Sequence, residues 1–477
     1  MATRRQPLIP GWLLPGLLAA TVMVAVSLGA FLALWFNAPE SDLLALWHDS
    51  YLWHVIRFSF WQAFRFWLKL GFISFGGPAG QIAMMHKNLV DGREWISEKV
   101  FLRALNFCML LPGPEAHQLA VYIGWRLNGY WGGTIAGLCF LFPSVILMLF
   151  LSWLAAAKGQ VPMVAGIFHG IAAAVVAIVI EALIRLSKKS LKHPALYAFA
   201  GGSFVLGQFL GVSFPVIVLL AGVAGVILGK LRPDIFCQKK PGTNECMLEE
   251  PESFTNLPPL THLFKVVAIF VVIWMAVILP VFAWRGMGDI LSQISIFFSK
   301  APFVTFGGAY AVLAYIIEHA VNLGWLTEKE MLLGLGLAET TPGPLIMVTQ
   351  FVGFITAWSQ PGNLTPMTAA ILGGLLTTFT TFLPSFMFIF AGAPYIEAIT
   401  ANKKLNAALT GISGAVVGVV LKIGVFFAVN TFFPATGFDA FAVVVALASL
   451  VALVRYKLSM HALVGLSGLA GFLWQLA

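Results

Sequence analysis

The sequence predicts an all-α polytopic membrane protein built from two inverted-topology repeats with broken or re-entrant helices. Three observations carry that prediction. The composition is too poor in charge to coat a water-facing surface, several apolar runs are long enough to cross a bilayer, and a set of motifs recurs in order about 230 residues apart.

Of the 477 residues, 59% are hydrophobic and 10% charged. A water-soluble domain carries about 25% charged residues, so soluble enzymes, nucleic-acid binders and disordered scaffolds are excluded. The net charge of +8 implies no nucleic-acid partner, because basic residues of a membrane protein gather in its cytoplasmic loops. Cys108 and Cys139 fall in apolar stretches, Cys237 and Cys246 in a polar loop. Their spacing is not that of a zinc site, and no metal or cofactor is predicted.

Crossing a hydrocarbon core of about 30 Å takes roughly 20 apolar helical residues. Runs of that kind lie at 12–36, 131–156, 162–184, 264–285, 366–391 and 405–429. Shorter pairs lie at 195–210 with 212–229 and at 436–454 with 459–476. The first run lacks a small-residue cleavage site after a short core and reads as a retained helix. Arg57, Arg65 and Lys69 among Trp53, Trp61 and Trp67 read as an interfacial helix with snorkelling charges. The predicted organisation is an extra helix and interfacial segment over 1–57, a first repeat over 58–229, a cytoplasmic linker over 230–263, a linking transmembrane helix over 264–288, and a second, inverted repeat over 289–477.

The repeat is read from ordered matches. Phe75-Gly76-Gly77 recurs as Phe306-Gly307-Gly308, Trp95-Ile96-Ser97-Glu98 as Trp325-Leu326-Thr327-Glu328, and Pro112-Gly113-Pro114 as Pro342-Gly343-Pro344, at offsets of 230 or 231. Phe142-Pro143-Ser144 and Gly170-Ile171 recur as Leu383-Pro384-Ser385 and Gly411-Ile412 at an offset of 241. The offset jumps at the polar stretch Ser359 to Thr365, which predicts a loop there.

At these residues the chain resembles the chromate ion transporter family in its long, two-domain form. The likeness covers 58 to about 430 and is carried by Gly71-Phe72-Ile73-Ser74-Phe75-Gly76-Gly77-Pro78, Leu110-Leu111-Pro112-Gly113-Pro114-Glu115-Ala116, Tyr122-Ile123-Gly124-Trp125 and Thr341-Pro342-Gly343-Pro344. It implies export of chromate, a tetrahedral dianion shaped like sulfate, across a bacterial inner (plasma) membrane. A fused pair of repeats can work as one unit, which leaves monomer and homodimer both open. An uptake carrier or channel for sulfate or molybdate shares the same oxyanion geometry. An intramembrane enzyme is disfavoured, since the sequence has no His-Glu-x-x-His, nucleophile elbow or carboxylate triad, and primary pumping is disfavoured because it has no P-loop.

Even-numbered crossings in each repeat plus one linking helix put the second copy upside down, as in alternating-access carriers. With that topology eighteen Lys and Arg after residue 75 fall inside and only Lys158, Arg285, Lys300 and Lys329 outside, the expected bias. Counting the short runs around 84–91 and 100–111 as full crossings worsens the bias to fifteen against seven, so they read as re-entrant.

Pro stops each incoming helix, Gly permits the turn, and the next half-helix begins with free N–H groups carrying partial positive charge. Such a place binds anions. The predicted anion site is therefore Phe75, Gly76, Gly77, Pro78, Pro112, Gly113, Pro114, Phe306, Gly307, Gly308, Thr341, Pro342, Gly343 and Pro344, with Gln81, Glu115, His117 and Gln118 adding polar groups. The alternative is that Gly and Pro merely kink or closely pack the helices.

Ionisable residues in apolar surroundings are functional candidates. Glu115 and Glu339 are the predicted coupling carboxyls, although Glu115 at a helix start also fits a structural cap. His117 fits a ligand or a satisfied interior histidine, and Arg126 fits a steering residue or a lipid-phosphate partner. Thr340, Thr341, Thr377, Thr378, Thr380 and Thr381 offer hydroxyls to an anion or to helix carbonyls. Glu181 is expected to pair locally with Arg185. A valine is expected to harm transport at Gly77 or Gly308 and to matter less at Gly225, on a scaffold helix.

Overall fold

The structure, a computed structural model, describes residues 60–75, 77–159, 161–232, 259–304, 309–400, 402–434 and 437–476. The predicted helix at 12–36, Arg57, most of the linker with Cys237 and Cys246, and the motif residues Gly76, Phe306, Gly307 and Gly308 lie outside the described residues.

Every regular element among the described residues is a helix. The first half holds α1 (Phe60–Ile73), α2 (Gly77–His86, continued by a π-helical turn Lys87–Gly92), α3 (Glu98–Leu110), α4 (Glu115–Lys158), α5 (Pro162–Ser190), α6 (Pro194–Gln208) and α7 (Phe214–Leu231). After α8 (Leu260–Arg285) come α9 (Ile290–Val304), α10 (Ala309–Ile316, continued by a π-helical turn Ile317–Val321), α11 (Glu328–Thr340) and α12 (Val348–Ser359). The chain ends with α13 (Pro366–Gly392), the short α14 (Ile396–Thr400), α15 (Lys403–Phe432), α16 (Ala440–Val454) and α17 (Met460–Leu476). Among the described residues six helices, α4, α5, α7, α8, α13 and α15, are long and apolar enough to cross a bilayer. The protein is an all-α polytopic membrane protein, with crossings where the apolar runs predict them.

The two halves share local chemistry. Both π-helical turns fall at the same repeat position, after α2 and after α10. Both α3 and α11 run 13 residues from a hydroxyl cap: Ser97 accepts from the Val100 N–H, and Thr327 accepts from Glu330 N–H while the Glu330 carboxylate accepts from the Thr327 N–H. These caps satisfy N–H groups that a helix start leaves without intrahelical partners.

The sequence predicts a crossing at 131–156, whereas α4 begins at Glu115 and is not one straight rod. Asn128 (φ −136°, ψ 28°) and Gly129 (φ 65°, ψ −160°) leave the helical region. The arm 115–127 then folds back along 130–158. A Cβ on Gly124 would lie 2.5 Å from the Gly132 carbonyl oxygen and 2.5 Å from Ala136 Cβ, and His117 lies beside Phe140. In the second half α12 returns along α13 in the same way, Gly353 facing the Gly373 carbonyl. A two-residue turn joins the arms of the first hairpin, and residues 360–365 join those of the second, which is where the repeat offset changes.

Helix α13 is the most enclosed crossing, with 83% of its apolar window buried against 28% for α8. Small residues let backbones approach, the main route to helix association where lipid competes with every apolar contact. Gly133 and Gly137 of α4 face Phe390 and Phe386 of α13, and Gly166 and Gly170 of α5 lie on the α17 backbone. Gly225 departs from its expected tolerance. A Cβ there would stand 2.5 Å from the Ala407 carbonyl oxygen of α15, so this position is a tight helix contact. Replacement Gly170→Val drives a side chain into the Ser467 carbonyl and should cost at least the ~1–3 kcal/mol of overpacking. Gly201→Val enters open space and should be neutral. Monodisperse yield and melting temperature of the two variants in detergent check this pair.

Candidate anion-binding centre

Each Pro-Gly-Pro turn lies against the other half, Gly113 beside Ser385 and Pro342 beside Ser144. Thr341 ends α11 with extended backbone, Gly343 takes φ +105°, and Pro344 opens the next helical segment. Only glycine adopts that φ without strain. Groups from the first half hold this turn. Gly343 N–H donates to the Ser74 carbonyl at 2.7 Å, the Gln81 amide donates to the Gly343 carbonyl and to the Ser74 carbonyl, and the Ser144 hydroxyl of α4 donates to the Pro342 carbonyl.

The first turn has the same shape, with Gly113 at φ +111° and α4 starting at Glu115. Gln118 donates its side-chain amide to the Pro112 carbonyl at 2.7 Å and its N–H to the Pro114 carbonyl at 3.0 Å. A Cβ on Gly113 would lie 3.1 Å from Gln118 Nε2 and 3.4 Å from Ser385 Oγ of α13. Phe140 joins the two turns: its ring faces His117, and its carbonyl oxygen lies 3.4 Å from the Cβ position of Gly343. The α2–α3 segment thus leaves this centre at Gly77 and returns to it at Pro112. At its far end His86 pairs with Glu98 at 2.5 Å.

The sequence reading makes Gln81 and His117 donors to a ligand. Gln81 instead spends its amide hydrogens on protein carbonyls, leaving only its Oε1 without a partner. His117 is fully buried among Phe140, Phe382 and Phe386. Neither ring nitrogen meets hydrogen-bond geometry, the Gly137 carbonyl being the polar group beside it. Gly77 has φ +66° and open space where a Cβ would point.

Among the six threonines, Thr340, Thr341, Thr377, Thr378 and Thr380 bond carbonyls of their own helices. Thr381 does not, and its buried hydroxyl has no partner among the described residues.

Two acids stand at the turns. Glu339, 4% exposed, accepts a hydrogen bond of 2.9 Å from the Tyr310 hydroxyl. It also feels the charges of Arg185 and Glu181, which pair with each other at 3.5 Å as expected. Glu115 is half-buried at the start of α4, and the cation whose field reaches it is Lys189 at the end of α5. Lys189 also contacts Met109 Sδ. Arg126 is exposed, two residues before the Asn128-Gly129 turn. Tyr310, Ser144, Ser385 and Lys189 were not singled out from sequence. The recurring Pro-Ser at offset 241 is the signal that marks Ser144 and Ser385.

A buried centre where broken helices from two repeats interlock is the architecture of a carrier-type membrane protein. Residues 61–226 and 292–472 match the chromate transporter family, and the chain belongs to it. It is similar to the chromate transport protein of Pseudomonas aeruginosa, 32% identical over 365 residues, which cover 76% of this chain and 79% of that protein. The probable chromate transport protein of Synechococcus elongatus is 27% identical over 394 residues, 81% of this chain and 88% of the other. A 64-residue stretch, 13% of the chain, is 75% identical to the thiamine transport system permease protein ThiP of Escherichia coli and covers 12% of that protein. No solved structure matches the chain.

Replacement Gln81→Leu removes the donor to two buried carbonyls. It should destabilise the protein by about 1–3 kcal/mol for each acceptor left unpaired, read as a lower melting temperature of the purified protein.

Proposed function

We propose that the protein is a secondary transporter that exports chromate across the bacterial inner membrane, holding the anion where half-helix N-termini converge near the membrane midplane. The observation that carries this is that each Pro-Gly-Pro turn lies against a serine of the other half's long helix, Gly113 against Ser385 and Pro342 against Ser144. Free N–H groups at a helix start attract an anion in a low-dielectric place, and relatives across most of the chain are named for chromate transport. Those relatives are transport proteins, which supports a carrier and not an enzyme.

The two repeats, 58–229 and 289–477, take opposite orientations in this reading. The bias of Lys and Arg supports it, as does the contrast between the basic stretch His86 to Arg103 and the acidic Glu318 to Glu330. The lipid-facing helices place the chain in the bilayer, where one copy or a homodimer does the work. Glu115 and Glu339 couple transport to protons: an ionised carboxyl at Glu115 and a dianion repel each other at short range in a poorly screened site, so the anion arrives with a proton on Glu115. The pair leaves with net negative charge, and the inside-negative membrane potential drives it outward. Arg126, with Lys189, steers anions toward the centre.

Inside-out vesicles carrying the protein should accumulate labelled chromate. Sulfate, a second tetrahedral dianion, should compete, and planar nitrate or monovalent chloride should not. In Glu115→Gln, which keeps size and hydrogen bonding, the dependence of uptake on an imposed proton gradient should vanish at unchanged protein level. Persistence of that dependence would return Glu115 to a structural cap.

Topology is checked with single cysteines in a background lacking the native ones. Positions 189 and 403 should be labelled only from the cytoplasm and 329 only from outside. Labelling of 189 and 329 from the same face would rule out inverted repeats.

A further inference from the structure

We infer that the two turns are not equivalent: the anion binds only at Pro112-Gly113-Pro114, held by the hydroxyls of Ser385 and Thr381, while Pro342-Gly343-Pro344 is a structural joint. This rests on the oxyanion-transport reading and assigns its ligands.

The contrast begins with two equivalent serines. Ser144 and Ser385 occupy the same repeat position, and each lies against the other half's turn. Ser144 donates to the Pro342 carbonyl. Ser385 stands beside Gly113 with its hydroxyl unpartnered among the described residues, because Gln118 already satisfies the Pro112 carbonyl. At the second turn Ser74, Gln81 and Ser144 occupy the N–H and both carbonyls. The polar atom left over beside it is Gln81 Oε1, an acceptor that repels an anion. Two hydroxyls unpartnered among the described residues, Thr349 and Thr356, lie further along on α12, the nearer five residues past Pro344.

At the first turn Gln118 Oε1 is an unpartnered acceptor as well, and what distinguishes this turn among the described residues is the pair of unpartnered hydroxyls, Ser385 beside Gly113 and Thr381 one helical turn away. Thr381 precedes Ser385 by four residues and so shares its helix face. Phe382 and Phe386, the neighbours of these two, pack edge-on against His117 at 5.1 and 5.0 Å. Thr381, Ser385 and His117 are each 0% exposed. Buried polar side chains normally find partners, and two hydroxyls lacking them on one face of α13, the nearer beside Gly113, define a place for an acceptor-only ligand. A tetrahedral oxyanion presents acceptor oxygens in several directions at once, toward the helix N–H groups and toward α13. Neighbouring phenylalanines exclude water, so each hydrogen bond to the anion acts at low dielectric.

The test is transport by the full-length protein in proteoliposomes, with the half-saturation for chromate measured separately from the maximal rate. A hydrogen bond to a charged group converts to about ten- to a hundredfold in affinity. Ser385→Ala and Thr381→Val should each raise chromate half-saturation and the sulfate inhibition constant by roughly that factor, and Ser385→Thr and Thr381→Ser should restore both. Ser144→Ala should reduce the yield of folded protein and leave half-saturation unchanged in what folds. If Ser385→Ala fails to fold, the Thr381→Val and Thr381→Ser pair carries the comparison. Unchanged half-saturation in Thr381→Val and in folded Ser385→Ala, or a comparable rise in Ser144→Ala, would overturn the assignment while leaving chromate transport intact. Wild-type liposomes that move no chromate would overturn the functional reading and this one with it.

Discussion

The structure depends on a backbone tie between its halves. Gly343, in the second repeat, donates to the Ser74 carbonyl of the first, and Gln81 and Ser144 of the first repeat hold the carbonyls on either side of Gly343 N–H. A chain that breaks its helices inside a membrane exposes carbonyls and N–H groups that lipid cannot satisfy, at several kcal/mol each. Here the second break is answered by groups of the first half, and the first by Gln118 of the helix that follows it. Glycine at the turn is required twice over, by φ near +105° and by the serine hydroxyl pressed against the second turn. That interlock ties α2 and α4 to the turn between α11 and α12.

The crossings were legible because lipid imposes a simple rule: about 20 apolar residues in a row. The limits of α5, α8, α13 and α15 fall within a few residues of the apolar runs 162–184, 264–285, 366–391 and 405–429. The loop at 360–365 was legible from a shift in repeat offset. The fold-back of 115–127 along 130–158 was not, although Arg126 and Asn128 interrupt the apolar sequence and Asn128-Gly129 is a turn dipeptide. A turn signal does not say that the preceding short helix packs back on the following one. The turns were visible as motifs, whereas the roles of their polar neighbours were not. Composition cannot tell that Gln81 spends its amide on the backbone, or that Thr381 differs from Thr377, Thr378 and Thr380, since all four are threonines on one helix. Side-chain partnership is a tertiary property.

Helix α5 links the charged groups. Its last two turns bring Arg185 to the Tyr310–Glu339 pair and Lys189 to Glu115, so one rigid element carries a cation toward the acid at each turn. The same helix lies against the backbone of α17 through Gly166 and Gly170. A contact made by glycine on backbone resists separation yet presents few interlocking side chains to sliding. Displacement of α5 along its axis would therefore change the field at both carboxyls together, which a pair of independent salt bridges would not do.

The interlock also has a price at birth. Gln81 and its acceptor at Gly343 are 262 residues apart in the chain. At synthesis rates of about 5–20 residues per second, the first hairpin waits about 13–50 seconds for the carbonyl it will hold. During that interval the Gln81 amide and the Ser144 hydroxyl lack the second-half carbonyls they will hold. Membrane insertion of this chain is thus not a sequence of finished steps from N- to C-terminus. The first half must be kept loose enough to be completed by the second, and a mutation late in the chain can undo residues that entered the membrane long before it.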